Sequence, residues 1–155
     1  MADLVQMIER AGLSLATVMA RKGADYGAII AALGDGELHA TGPGTWLAVS
    51  DASLDELPDR LRGQASVSDQ SGGYIVYRFA GPGARRLLQR GAFIDLDPEA
   101  FGPGAVAVTA IAHMGVILWQ VDAAPTYDVA IFRSHAESFR HWVEGMIPAL
   151  APISA

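Results

Sequence analysis

From Tyr74 to Phe79 the chain reads YIVYRF, a run of aromatic, β-branched and long side chains with Arg78 as its one charged member, and this predicts a mostly buried strand. Gly81 and Pro82 end it. Proline lacks the amide that a continuing ladder needs, while its fixed φ suits the first position of a helix. The hydrophobic period then changes. Ala84, Leu87 and Leu88 fall at i, i+3, i+4 and give one apolar stripe, with Arg85, Arg86 and Gln89 pointing elsewhere. The spacing predicts a helix that starts near Pro82, places Arg90 at the negative end of its dipole and closes at Gly91 in the left-handed C′ conformation. So short a helix is not stable alone, so its Leu pair is expected to dock on the preceding sheet.

The same reading along the rest of the chain gives further elements. Asp3 to Arg10 is a short helix candidate with Leu4, Val5 and Ile8 on one side, and Leu13 to Ala20 alternates loosely as a strand. Ala24 to Leu33 reads as a helix with Ile29, Ile30 and Leu33 inward, stopped by the turn Gly34-Asp35-Gly36. Thr45 to Ser50 is a buried strand. Ser53 and Glu56 have capping-box spacing ahead of Leu57 and Leu61, although Pro58 distorts the first turn or delays the helix. Ala65 to Asp69 and Tyr74 to Phe79 flank Ser71-Gly72-Gly73 and are expected to form a hairpin. Val106 to Ala112 and Val116 to Val121 form a second hairpin across His113-Met114-Gly115, and Thr126 to Phe132 adds a strand. A last helix starts at Ser134, with Glu137 completing a capping box and Phe139, Trp142, Val143 and Met146 on one face, and ends at Pro148. Hairpins interspersed with single helices, without βαβ alternation, point to an α+β fold with mostly antiparallel strands. No linker separates independent domains, so residues 1–155 are read as one domain or two intertwined α+β subdomains.

Composition sharpens this picture. Hydrophobic residues make up 51% of the chain, and charged residues 18%, against about 25% in an ordinary soluble domain. Either the core is large and rich in Ala and Gly, or an apolar face is covered by a partner. A net charge of -6 and a pI near 5.0 oppose binding to nucleic acid or anionic lipid. Without cysteine there is no thiol nucleophile, iron–sulfur cluster or Cys-based zinc site. The first residues lack a signal-peptide core and no window has the apolar length of a membrane span, so a soluble, cytoplasmic protein is expected.

Candidate chemistry is sparse. Gly81-Pro82-Gly83 sits between strand and helix as a phosphate loop would, but Arg86 stands where a third glycine belongs and Pro82 removes a cradling amide. His39, His113, His135 and His141 give no HExxH or i, i+4 pair, and no GxSxG elbow accompanies Ser71. Asp95 and Asp97, two apart, form the best-placed acid pair for general acid and base work, with a cap or turn at Asp97-Pro98 as the structural alternative. Trp46, Trp119 and Trp142 lie in apolar elements and read as core. No catalytic, cofactor-binding or metal-ligating set emerges.

FAGPGARRLLQRG, IDLDPEAFGPGAVAVTAIA and LWQVDAAPTYDVAIFRSHAESFRHWV, preceded by GLSLATVMARKG and GPGTWLAVSD, resemble in that order the gamma subunit of heterotetrameric sarcosine oxidase. The resemblance implies a fold like the folate-binding domain of glycine-cleavage aminomethyltransferases. It also implies a non-catalytic subunit of a complex that demethylates sarcosine to glycine and passes a one-carbon unit to tetrahydrofolate. FAD, FMN, NAD, tetrahydrofolate and zinc would then reside in partner subunits, with none in this chain. The partners would be alpha, beta and delta subunits, alpha being the main contact. Asp95, Asp97, Pro98, Phe101, Pro103 and Tyr127 are the interface candidates. Two alternatives stand beside this: a subunit of a related N-methyl amino acid dehydrogenase complex, and a free-standing folate-binding or one-carbon-transfer module in which Asp122 or Asp128 would hold the pterin or the amine.

Overall fold

In a computed structural model that describes residues 4–150, the chain forms two sheets. In chain order the elements are β1 (Gln6–Glu9), β2 (Ser14–Ala20), α1 (Tyr26–Leu33), β3 (Glu37–Gly42), β4 (Thr45–Ser50), α2 (Leu57–Arg60), β5 (Ala65–Asp69), β6 (Tyr74–Ala80), α3 (Ala84–Gln89), β7 (Val106–Ile111), β8 (Met114–Asp122), β9 (Thr126–Phe132) and α4 (Ala136–Met146). Short 3-10 turns cover Arg133–His135 and Ile147–Leu150. The chain divides into two compact units, one made of residues up to Arg10 and from Ile75 onward, the other of Ala11–Tyr74. The fold is α+β, as the hydrophobic pattern predicts.

The Ala11–Tyr74 unit carries an antiparallel sheet in the order β3-β4-β2-β5. Ala16, Val18, Trp46 and Ala48 from its central strands join Ile29 and Leu33 of α1 and Leu57 and Leu61 around α2 in one apolar cluster. Asp25 caps α1, accepting from the Gly27 amide at 2.9 Å. Ile30 departs from expectation and is 54% exposed. Ile29 and Leu33 are four apart and share the inward line, whereas Ile30 is rotated about 100° from Ile29. The mixed sequence ELHATG of β3 gave no strand signal; pairing with β4, from Glu37↔Val49 to Gly42↔Thr45, makes it one.

The predicted hairpin of β5 and β6 does not form. β5 pairs with β2, Ala20↔Ala65 through Ala16↔Asp69, and β6 pairs with β1 in the other sheet. Ser71 explains the difference: its Oγ accepts from the Leu15 amide at 2.9 Å, and the Gln70 amide donates to the Leu15 carbonyl, so the chain stays on β2 beyond Asp69. The Gly-rich turn signal is used to pass from one sheet to the other.

The second unit has sheet order β1-β6-β9-β8-β7. The predicted helix at Asp3 to Arg10 is a correction: Gln6–Glu9 is an edge strand, antiparallel to β6 from Gln6↔Ala80 to Glu9↔Tyr77, and Asp3 lies outside the described residues. A segment this short gains little from helical bonds, while the edge of β6 supplies a ladder. On one face of the sheet Tyr77, Phe79, Leu118, Val129 and Ile131 pack with Leu87 and Leu88 of α3 and Phe139 and Val143 of α4. The Phe139 ring stacks on Tyr77 and meets Phe79 edge-on, both at 6.0 Å. The apolar stripe of α3 thus docks as expected.

Neither capping box forms. Ser53 Oγ accepts from the Asp55 amide and α2 starts only at Leu57, with Pro58 in its first turn. The chain enters α4 through the 3-10 turn, which leaves Ser134 before the helix and Glu137 in its first turn. The β7–β8 turn is tighter than predicted: Ile111 pairs with Met114, and Ala112 and His113 both take positive φ, 52° and 66°, as a two-residue hairpin turn requires.

Two glycines show why the opening motif has its sequence. Gly81 has φ +116°, and a Cβ there would lie 2.5 Å from the Leu4 carbonyl oxygen, so the motif exists to let the chain ahead of β1 pass close. Gly91 does not adopt the expected left-handed conformation. It is required by packing, because a Cβ would stand 2.7 Å from Trp142 Cζ2 and 2.8 Å from the Ala112 amide nitrogen. Gly91→Ala is therefore expected to destabilise the fold by about 1–3 kcal/mol. Gly102→Ala, whose Cβ would meet only the Pro98 carbonyl at 3.7 Å, serves as the neutral control. Urea denaturation of the two variants checks this.

Candidate functional site

The strongest polar cluster is built around Asp128 in the middle of β9. Its side chain is fully buried. Arg78 on β6 donates to it from Nε at 2.8 Å and Nη2 at 2.9 Å, Arg10 after β1 donates from Nη1 at 2.9 Å, and Trp119, its cross-strand partner on β8, donates from Nε1 at 3.1 Å. Four charge-assisted donors fill the two oxygens of one carboxylate. Such a group cannot also take an amine or a pterin, which corrects the sequence candidate. Asp122, the other candidate for that role, is exposed and accepts from the Ala124 amide at 2.9 Å within its own turn. Asp128 therefore does not fit the group, and Asp122 sits in an exposed turn.

The loop after α3 explains the remaining candidates. Gln89 accepts from the Leu96 amide at 2.7 Å and donates to the Ile94 carbonyl at 2.8 Å, while Arg85 Nε donates to the Leu96 carbonyl at 3.0 Å. The polar side of α3 thus pins Leu96 into the core, where it is fully buried. Asp95 accepts from the Asp97 amide and Asp97 from the Glu99 amide, at 2.9 and 3.0 Å, so the acid pair makes successive turns instead of a paired acid and base. Asp95, Asp97, Pro98 and Pro103 are exposed. Phe101 and Tyr127 are not: both sit in the core and offer no side-chain surface to a partner in this conformation. Burial pushes the Tyr127 hydroxyl above its ordinary pKa, and nearby Arg85 offsets only part of this. Among the described residues neither Tyr127 Oη nor the Oε1 of Gln120, its register partner on β8, has a hydrogen-bond partner.

The Gly81-Pro82-Gly83 turn is occupied by its own chain, since the Gly83 amide donates to the Leu4 carbonyl at 2.8 Å. The four histidines are dispersed: His39 bonds Glu37, His113 and His135 pack against Phe93 and Phe132, and His141 lines a groove beside α4. Among the described residues no three His, Asp or Glu side chains come together as a metal site, and no helix is long and apolar enough to cross a membrane. In the Ala11–Tyr74 unit, a crevice of about 340 Å³ is lined by Asp55, Asp69 and Ser71. The Ser71 amide and hydroxyl hold the Asp69 carboxyl below the usual carboxylate range, which keeps it ionised and makes it a poor general acid.

The arrangement carries charge pairs, turns and grooves, and the Ser71 hydroxyl beside Asp69 is itself bonded to the amide and carbonyl of Leu15. No family model matches the sequence, and no curated protein matches it. Solved structures do match in shape. A heterotetrameric sarcosine oxidase from Corynebacterium sp. U-96, in complex with pyrrole 2-carboxylate, contains a chain similar over 100% of this chain and 90% of its own, at 21% identity and a TM-score of 0.86. The glycine cleavage system aminomethyltransferase T from Bartonella henselae is similar over 91% of this chain and 45% of its own, at 13% identity and a TM-score of 0.66. A putative C-terminal regulatory domain of aspartate kinase from Porphyromonas gingivalis covers 94% of this chain at 9% identity and a TM-score of 0.55. At these identities the likeness establishes the fold, one shared with a sarcosine oxidase chain and with part of an aminomethyltransferase.

Two outcomes follow from the geometry. Asp128→Ala strands the cations of a buried cluster and is expected to cost about 3–5 kcal/mol of stability. Arg10→Ala, which leaves the bidentate Arg78 bond in place, should cost less, about 1.5–3 kcal/mol; chemical denaturation orders the pair. For Asp69, a pKa depressed in the folded state means its contribution is present above the ordinary carboxylate pKa and lost as pH falls through the depressed value. Carbon-detected NMR titration should show Ser71→Ala raising the Asp69 pKa towards that of a free carboxylate.

Proposed function

We propose that this chain is the non-catalytic gamma subunit of a heterotetrameric sarcosine-oxidase-type complex. The observation that carries this reading is a structural likeness extending over the whole chain and nearly the whole of a sarcosine oxidase chain. The sequence motifs of the gamma subunit, present in order, support the same assignment. In this reading FAD, FMN, NAD, tetrahydrofolate and zinc belong to the alpha, beta and delta subunits, and the assembly works in the cytoplasm. The engagement of both Asp128 oxygens in internal bonds supports a structural role over a free-standing folate-binding module held by that residue. A complex acting on another N-methyl amino acid would use a subunit of the same kind.

The charge-poor composition has a place on the surface. α1, YGAIIAAL, has no charged side chain anywhere along its length, yet Tyr26 and Ile30 are about half exposed. A helix apolar on every side is normally buried on every side. Its outer face fits the alpha subunit, the proposed main contact.

Affinity purification from the native cell is expected to recover larger, flavin-containing subunits with this chain. Recovery of the chain alone at native expression would refute the assignment. Ile30→Glu, which places a charge in the apolar face without touching the core, should weaken association about tenfold or more, with its melting temperature unchanged. Quantitative co-purification of tagged variants against a circular dichroism melt separates the two effects.

A further inference from the structure

Beside α4 lies an open groove of about 540 Å³ that none of the preceding functions uses. Its wall is one stripe of α4 and the turn before it: Arg133, Glu137, Arg140, His141 and Glu144 recur at helical spacing, so charges of both signs face the same side. Its floor is Tyr77 on β6, with Glu9 opposite it on β1 in register. Only 3% of Tyr77 is exposed, and its ring is held by stacking on Phe139. Its hydroxyl nonetheless makes no hydrogen bond among the described residues. A buried phenol with a fixed ring and an unused hydroxyl at the floor of a charged groove is a preorganised polar contact.

Two charges that line the groove act on that hydroxyl with opposite effect. Burial raises the Tyr77 pKa, the Arg140 guanidinium pulls it down and the Glu9 carboxylate pushes it up, so a cation and an anion both lie within electrostatic reach of one oxygen. Arg140 is drawn only loosely to Glu144, at 3.7 Å, and Glu9 makes no ion pair among the described residues. A polyanion such as a nucleotide would be repelled by Glu9, Glu137 and Glu144, and a polyamine by Arg133 and Arg140.

We propose that this groove binds a small zwitterion of the α-amino acid class. The ligand carboxylate pairs with Arg140, its ammonium group pairs with Glu9, and the Tyr77 hydroxyl bonds the end lying over it. Opposite charges at a short fixed separation are what distinguish this class from a simple acid or amine, and both are needed for full affinity. The site is open and its arginine solvated, so binding is expected to be weak, in the millimolar range.

The test is titration of the full-length, isotopically labelled chain with glycine, followed by NMR shifts of the Arg140 side-chain Nε–H and the Tyr77 ring. Acetate and methylammonium serve as probes of one charge each. Saturable shifts with glycine, at least about tenfold tighter than with either single-charge probe, would bear the proposal out. Arg140→Gln and Glu9→Gln, both on the surface, should each weaken glycine binding about tenfold, and Tyr77→Phe should weaken it less while keeping the fold. The absence of saturable shifts into the tens of millimolar would overturn the proposal. So would glycine binding that is unchanged in Glu9→Gln and Arg140→Gln, or acetate binding as tightly as glycine. None of these outcomes depends on whether the chain joins a complex.

Discussion

A single carboxylate ties together four of the five strands in the larger sheet. Asp128 lies at the centre of β9, and its donors come from β8, from β6 and from the residue just after β1. Each interaction fixes a register as well as contributing energy, because a one-residue slip of any strand would turn its donor to the opposite face. A buried charge is tolerated only when fully paired, so the cluster discriminates strongly against alternative pairings. Arg10 adds a further constraint: its backbone amide also bonds the Val76 carbonyl, so the point where the chain leaves β1 is held twice.

Five other aspartates follow a simpler rule. Asp25, Asp69, Asp95, Asp97 and Asp122 each accept from a backbone amide two residues ahead, and these bonds shape a helix start, the end of β5, two consecutive turns and the β8–β9 connection. The aspartates that attract attention in the sequence as a spaced pair are consumed in setting backbone direction.

Sequence made local features legible where burial and periodicity agreed. β4 and β9 match their expected spans, and Ala84, Leu87 and Leu88 form the predicted buried stripe. It misled where a local signal had two uses. Ser71-Gly72-Gly73 has hairpin chemistry, but Ser71 is bonded to Leu15, far away in the chain, and no local pattern carries that information. Gln6–Glu9 becomes a strand only because β6 lies beside it. The groove beside α4 could have been glimpsed in the recurrence of charge at 133, 137, 140, 141 and 144, yet Glu9 and Tyr77 reach it through pairing across the insertion of an entire unit. The Asp128 cluster was hidden for the same reason: Arg10, Arg78 and Trp119 are far from one another in sequence.

β7 ends the larger sheet, and among the described residues only one end of its outer edge is covered: Phe93 donates to Ala110 and Ala112 donates to Gly91. The alternation of an antiparallel ladder then turns the amide and carbonyl of Val108 outward as well, in a stretch, VAVTA, without lysine or proline, and with the Val108 side chain 61% exposed. Such an edge is a template for any extended chain that meets it, including the same strand of another molecule. Nothing in the side chains of this stretch opposes such pairing, so the outer amide and carbonyl of Val108 are the point at which the sheet is open to extension.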